Sequence, residues 1–223
     1  MKKWLAMTVA ATLTVAGCAT DGSGNRRPMT NAEKGALIGI AGGAILGTTA
    51  KNKKKGVLIG AVGGGIAGGL VGTYMDNQKK DLEKVLAKER EAGAINIDKL
   101  ENNIVRVTMT NQTAFEVDSA QIKPGFEPSM DKIADVVNRY GKTHLTVVGH
   151  TDNSGSDQHN QALSERRAQA VQGYFASKGV IQERLAFAGK GEHEPRASNS
   201  TTDGRQLNRR VEIFIDPIVE EKR

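Results

Sequence analysis

The chain has 223 residues, a formal charge of +6, 38% hydrophobic and 4% aromatic residues, and one cysteine. A single cysteine excludes an intrachain disulfide framework, so any folded part rests on its core alone. The mild positive charge fits an anionic polymer or surface only loosely, and so few aromatics argue against a base-stacking, nucleic-acid-binding surface.

Residues 1–17 read as an export leader. Lys2 and Lys3 precede an apolar run from Trp4 to Ala16, and small residues follow. The run is too short to span a bilayer. It ends Val15-Ala16-Gly17-Cys18, which resembles a bacterial lipobox and makes Cys18 the lipidation residue and first mature residue. An ordinary cleaved leader that happens to end at a cysteine is the alternative. Acyl chains contributing ~0.8 kcal/mol per buried CH₂ would hold the chain firmly on a membrane. Ala19 follows where, by resemblance to lipoproteins, an aspartate would imply inner-membrane retention, so the expected address is the outer membrane.

Residues 18–34 are polar and read as a lipidated tether. Glycines then recur at every fourth position: Gly35, Gly39, Gly43 and Gly47, and after a basic KNKKK stretch Gly56, Gly60, Gly64, Gly68 and Gly72. That spacing places them on one helical face. In water each interior glycine costs a helix ~1 kcal/mol relative to alanine; in a membrane a face of small residues lets helices approach closely. Residues 35–75 are therefore expected to form a membrane-embedded hairpin, and the segment resembles the glycine-zipper module. The stripe is also a candidate surface for homo-oligomer formation. A flexible glycine-rich linker is the alternative. Residues 76–94 (DNQKKDLEKVLAKEREAGA) read as a charged helical linker between membrane and domain.

From 95 to 218 the pattern is that of a compact α/β domain, with a short tail at 219–223. Val105, Val107 and Met109 alternate with polar residues, as in a half-buried strand. After Pro124-Gly125, Phe126, Met130, Ile133, Val137 and Tyr140 share a helical face. Thr143 to Gly149 is an apolar, β-branched central strand. A helix from about Gln161 to Lys178 is closed by Gly179. A short strand is expected around Leu185, Phe187 and Gly189, and a final strand through Val211, Ile213 and Ile215. The expected architecture is an α/β (α+β) domain of β-α-β-α-β-β order, a mixed sheet with helices on one side.

One residue in this pattern is out of place. Leu163, Arg167, Val171 and Tyr174 fall on one stripe of the second helix. A cation aimed at a core is costly unless an anion or hydrogen-bond acceptor meets it. The stretches TAFEVDSAQIKP (113–124), VVGHTDNSGSDQHNQALSERRAQAV (147–171) and LAFAGKGEHEPRASNSTTDGRQLNRRVE (185–212) resemble the OmpA-like, peptidoglycan-binding family, and the whole chain resembles lipoproteins of the YiaD type. The resemblance implies noncovalent binding of peptidoglycan through the diaminopimelate of its stem peptide, with Asp152 and Arg167 as the gripping pair. Diaminopimelate offers an ammonium and a carboxylate on one carbon; an aspartate suits the first and an arginine fork the second. A structural Asp152–Arg167 ion pair is the alternative, and the two roles are compatible. Thr151, Asn153, Asn160, Leu163 and Arg210 are secondary candidates for ligand contact. Asn160 is also placed to cap the helix, and Leu163 to fill the core.

No catalytic set is apparent. Ser154 and Ser164 lack a nucleophile elbow, Gly149 to Gly155 is not followed by GK[ST], and His144, His150, His159 and His193 lack metal-ligand spacing. The expectation is a non-enzymatic outer-membrane lipoprotein, without cofactor, metal or nucleic-acid partner, that tethers membrane to cell wall from the periplasm. The alternatives are a membrane pore or assembly factor built on the glycine hairpin, and a peptidoglycan hydrolase.

Overall fold

A computed structural model describes residues 18–20, 26–28, 66, 70–116 and 118–219. The expected leader, most of the tether and the glycine stripe up to residue 65 lie outside these residues. The chain divides into two units, 1–48 and 49–223. In the first, β1 (Cys18–Thr20) pairs antiparallel with β2 (Arg26–Pro28).

The second unit is built on a five-stranded sheet. Its strands are β3 (Ile95–Lys99), β4 (Val105–Thr110), β5 (Thr143–His150), β6 (Leu185–Gly189) and β7 (Arg210–Pro217), ordered β3-β4-β7-β5-β6. Only β5 and β6 run parallel. The helices are α1 (Val71–Val85), α2 (Ala87–Glu91), α3 (Asn111–Ala114), α4 (Glu127–Arg139), α5 (Asp157–Ser177) and α6 (Thr202–Asn208). Val107, Met109, Leu145, Val147, Val211, Ile213 and Ile215 alternate along their strands and are fully buried on one face. Met130, Ile133 and Val137 of α4 and Ala168, Val171 and Phe175 of α5 join them in one apolar core. The mixed sheet and the helices on its apolar face are as expected.

Three features differ from the expectation. Strand β3 is an additional edge strand, joined to β4 through a tight turn in which Asn102 and Asn103 take positive φ (57° and 63°), a conformation asparagine tolerates better than most residues. Helix α6 is a second addition. The third is the segment of α1 and α2, which is not a free spacer. Met75, Leu82 and Leu86 are fully buried in the core, and Tyr74 meets the Tyr140 ring edge-on at 5.2 Å. The Tyr140 hydroxyl donates to Asp81 at 3.0 Å, and Glu89 accepts from Lys132 and Ser129 at 2.6 and 2.9 Å. The charged residues of this segment cover a buried stripe.

The folded unit also reaches into the glycine stripe. Ile66 donates its amide to the Ile218 carbonyl at 2.7 Å and bridges Val219 in parallel. Ile66 and Val71 are buried in the same core as Met75. The expected hairpin boundary at residue 75 is therefore corrected, because this end of the stripe packs on protein.

Candidate functional site

The site forms where the backbone of α5 packs directly on β5 and β6. A Cβ on Gly149 would stand 2.1 Å from the Ser164 carbonyl oxygen, and one on Gly189 2.5 Å from the Glu165 amide nitrogen. Only glycine lets helix and sheet approach this closely. The Ser164 hydroxyl fills the contact, donating to the Gln161 carbonyl at 2.8 Å and accepting from the Gly191 amide at 2.9 Å. The Thr151 amide donates to the Gly191 carbonyl at 2.9 Å, joining the loops that follow β5 and β6. These contacts set the height of α5 over the strand ends, and with it the position of Arg167.

Arg167 is 3% exposed. Its Nε donates to the Ser119 carbonyl at 2.8 Å, and its guanidinium lies 5.5 Å from the centre of the Phe115 ring. With the Asn111 amide oxygen turned toward it, Nη1 and Nη2 both donate to that oxygen, at 2.6 and 3.0 Å. All of these partners are neutral. Loss of solvent lowers the guanidinium to about 10, so it remains charged at neutral pH. Asp118 and Asp152 are near enough to favour that charge, and Arg209 and Arg166 oppose it.

Asp152 is 5% exposed, and its partner is not Arg167. Its Oδ2 accepts from Arg209 Nη1, and its Oδ1 accepts from the Ser154 amide at 2.9 Å. Burial would raise this carboxyl, but the Arg209 and Ser154 hydrogen bonds outweigh it and hold the group below the ordinary aspartate value. The structural Asp152–Arg167 ion pair is thus replaced by two separate settings, an aspartate held by Arg209 and an arginine held by neutral groups.

The secondary candidates divide. Thr151 is buried beside Asp152, and its hydroxyl has no protein partner. Asn153 is exposed. Asn160 is not the helix cap; the Ser156 side chain accepts from the His159 amide at 3.2 Å, while Asn160 lies within the helix and donates to Glu192 at 2.6 Å. Leu163 is buried but stands outside the contiguous apolar core. Arg210 is turned away from Asp152 and Arg167. It donates to Glu212 at 2.8 Å and to the Glu194 carbonyl at 3.1 Å, because β7 pairs it opposite His150 on the other face of the sheet. Burial would raise the Glu212 carboxyl, but His150 and Arg210 overcome this and hold it at about 2.

The sequence reading missed Asn111 as a site residue and gave Arg209, with Asn208 and Arg210, a wall-forming and structural role beside possible ligand contact. Only the start of β7 at Arg210 separates the two arginines, sending Arg209 to Asp152 and Arg210 to Glu212. Asn208 is fully buried and fastens the 196–199 loop, accepting from the amides of Arg196 and Ala197 at 2.8 and 2.9 Å. Among the described residues no cluster of histidine and acidic side chains could hold a metal ion.

Residues 114–209 match the OmpA family, and residues 1–76 match the YMGG-like Gly-zipper family. The chain is 37% identical to "Probable lipoprotein YiaD" of Escherichia coli, over 96% of its own length and 97% of that protein. It is 38% identical to the peptidoglycan-binding protein ArfA of Mycobacterium tuberculosis, over 46% of this chain and 32% of that one. Among solved structures, the cell wall anchor of the T6SS from Pseudomonas aeruginosa superposes with a TM-score of 0.56 at 30% identity, covering 61% of this chain and 96% of that one. Asp152, Arg167 and Arg209 lie within the OmpA-matching residues, and the chain belongs to the OmpA family, as a relative of the YiaD lipoprotein.

Proposed function

We propose that this protein binds peptidoglycan noncovalently through the diaminopimelate of the stem peptide, and that acylation at Cys18 holds it on the outer membrane, so that it tethers the membrane to the wall. The observation that carries the reading is Arg167, a desolvated cation whose partners are all neutral, near an aspartate that is held ionised. A buried guanidinium of this kind attracts an incoming carboxylate strongly, since little solvent screens the charge. Asp152 keeps acceptor capacity for an ammonium beyond its bonds to Arg209 and Ser154. Both groups are fixed before the ligand arrives, which lowers the ordering cost of binding.

The peptidoglycan-binding relative and the cell wall anchor of similar fold support the wall as partner, and the YiaD relative supports the lipid. Binding requires no bond making, and the protein acts as a holdfast. The test is sedimentation with purified sacculi of wild type, Asp152→Ala and Arg167→Ala, each checked for folding by circular dichroism. Folded variants should stay in the supernatant. Cosedimentation of both at the wild-type level would overturn the assignment. Cys18→Ser should abolish incorporation of labelled fatty acid.

A further inference from the structure

We propose that Asn111 is a positioning residue for the anion subsite: its neutral amide aims the Arg167 guanidinium at the ligand without neutralising it. This rests on the diaminopimelate reading. Asn111 is 6% exposed and begins α3, immediately after β4. Its amide oxygen accepts from both Nη atoms of Arg167, and its backbone N–H donates to the Arg209 carbonyl at 3.0 Å. Arg209 in turn holds Asp152. One residue therefore touches the cation through its side chain and the aspartate's partner through its main chain. It sets the separation of the two charges that an amino-acid zwitterion must match.

The choice of an amide has a chemical reason. The guanidinium has five N–H groups, of which Ser119 takes one and Asn111 one from each Nη, leaving one on each Nη for a ligand. A carboxylate at position 111 would accept the same bonds, and it would also cancel the charge that draws the ligand in. An apolar residue would leave two buried donors unpaired and the fork free to rotate. The amide satisfies the donors, keeps the net charge and fixes the plane of the fork.

The experiment compares wild type, Asn111→Asp, Asn111→Ala and Arg167→Ala in full-length protein. Sacculus binding is read by sedimentation, and the Arg167 Nε–H environment by ¹⁵N NMR. Asn111→Asp should fold with a melting temperature at or above wild type and lose at least ~10-fold in affinity, the loss reflecting a neutralised subsite rather than damaged structure. Asn111→Ala should fold, bind several-fold more weakly and shift or broaden the Arg167 Nε–H resonance. Wild-type binding by folded Asn111→Asp overturns the proposal, as does an unmoved Arg167 resonance in Asn111→Ala. If Asn111→Asp does not fold, Asn111→Ala decides on the resonance. If Arg167→Ala binds as wild type, the diaminopimelate reading itself falls and takes the Asn111 role with it.

Discussion

Adding one methyl group at Gly149 should unseat the helix that carries Arg167. The new Cβ would stand 2.1 Å from the Ser164 carbonyl oxygen, 2.9 Å from its carbon and 3.2 Å from its Cα. All three are backbone atoms of α5, so no side chain can rotate out of the way. Reaching ordinary contact requires the helix to lift by about 1 Å or more. Such a movement stretches the 2.9 Å bond from the Gly191 amide to Ser164 and displaces Arg167 from Ser119. Overpacking a well-packed interior costs ~1–3 kcal/mol. With only backbone in the path, Gly149→Ala should reach the upper end, about 3 kcal/mol. For a domain of this size each kcal/mol moves the melting temperature by ~2–4 °C, so the expected loss is about 6–12 °C. Gly173→Ala is the matched control. It lies in the same helix with no atom within 4 Å of the added Cβ, and should raise stability by ~0.5–1 kcal/mol. Thermal unfolding of both variants, followed at 222 nm in leaderless Cys18→Ser protein, gives the comparison. If Gly149→Ala melts with wild type, or if both glycines respond alike, the close approach of α5 to β5 is not what fixes the site.

Three further outcomes test other parts of the structure. Leu82→Ala should cost ~2–5 kcal/mol because Leu82 is fully buried in the core on α1, the helix that packs on α4 and β3; a loss of ~0.5 kcal/mol or less, as at an exposed position, would restore α1 to the role of a spacer. On the proposed acylation of Cys18, which consumes that thiol, Lys53→Cys should react with an impermeant maleimide only after the outer membrane is permeabilised. Residues 56–65 are all that separate the basic KNKKK stretch from Ile66, and as a helix they would span ~15 Å, half of a hydrocarbon core. Labelling in intact cells would show that this leg does cross. Asp216 is raised by burial to about 6. A carboxyl raised in the folded state contributes its stabilisation in full below its unfolded value of about 3.9, and loses it as pH rises through about 6. Asp216→Asn should therefore be more stable than wild type at pH 7.5, with the gap closing toward pH 4, as read from urea midpoints; a gap independent of pH would refute the cause.

Much of the domain was legible because the signals are local. Helical period alone placed Arg167 on the apolar stripe of α5, and strand period placed Val211, Ile213 and Ile215 on one face. The Asp152–Arg167 choice came from family motifs, and Gly149 and Gly189, in the same matching stretches, prove to be points where the helix backbone leaves no room for a Cβ. Strand β3 was harder to see. Ile95 and Ile97 do alternate with polar residues, but the stretch is short, and its pairing to β4 depends on the Asn102-Asn103 turn.

The sequence by itself determined the strand and helix pattern of the domain and placed a cation on its helix's apolar side. Tertiary structure decided who meets that cation. Arg209, not Arg167, holds Asp152, because the register of β7 against β5 turns Arg210 to Glu212 and leaves its neighbour facing the site. It also decided where the glycine stripe ends as a separate segment. An apolar, small-residue run has the same pattern whether it packs on lipid or on protein, since burial rewards both alike. Only the hydrogen bond from Ile66 to Ile218 and the burial of Val71 and Met75 assign that end of the stripe to the domain.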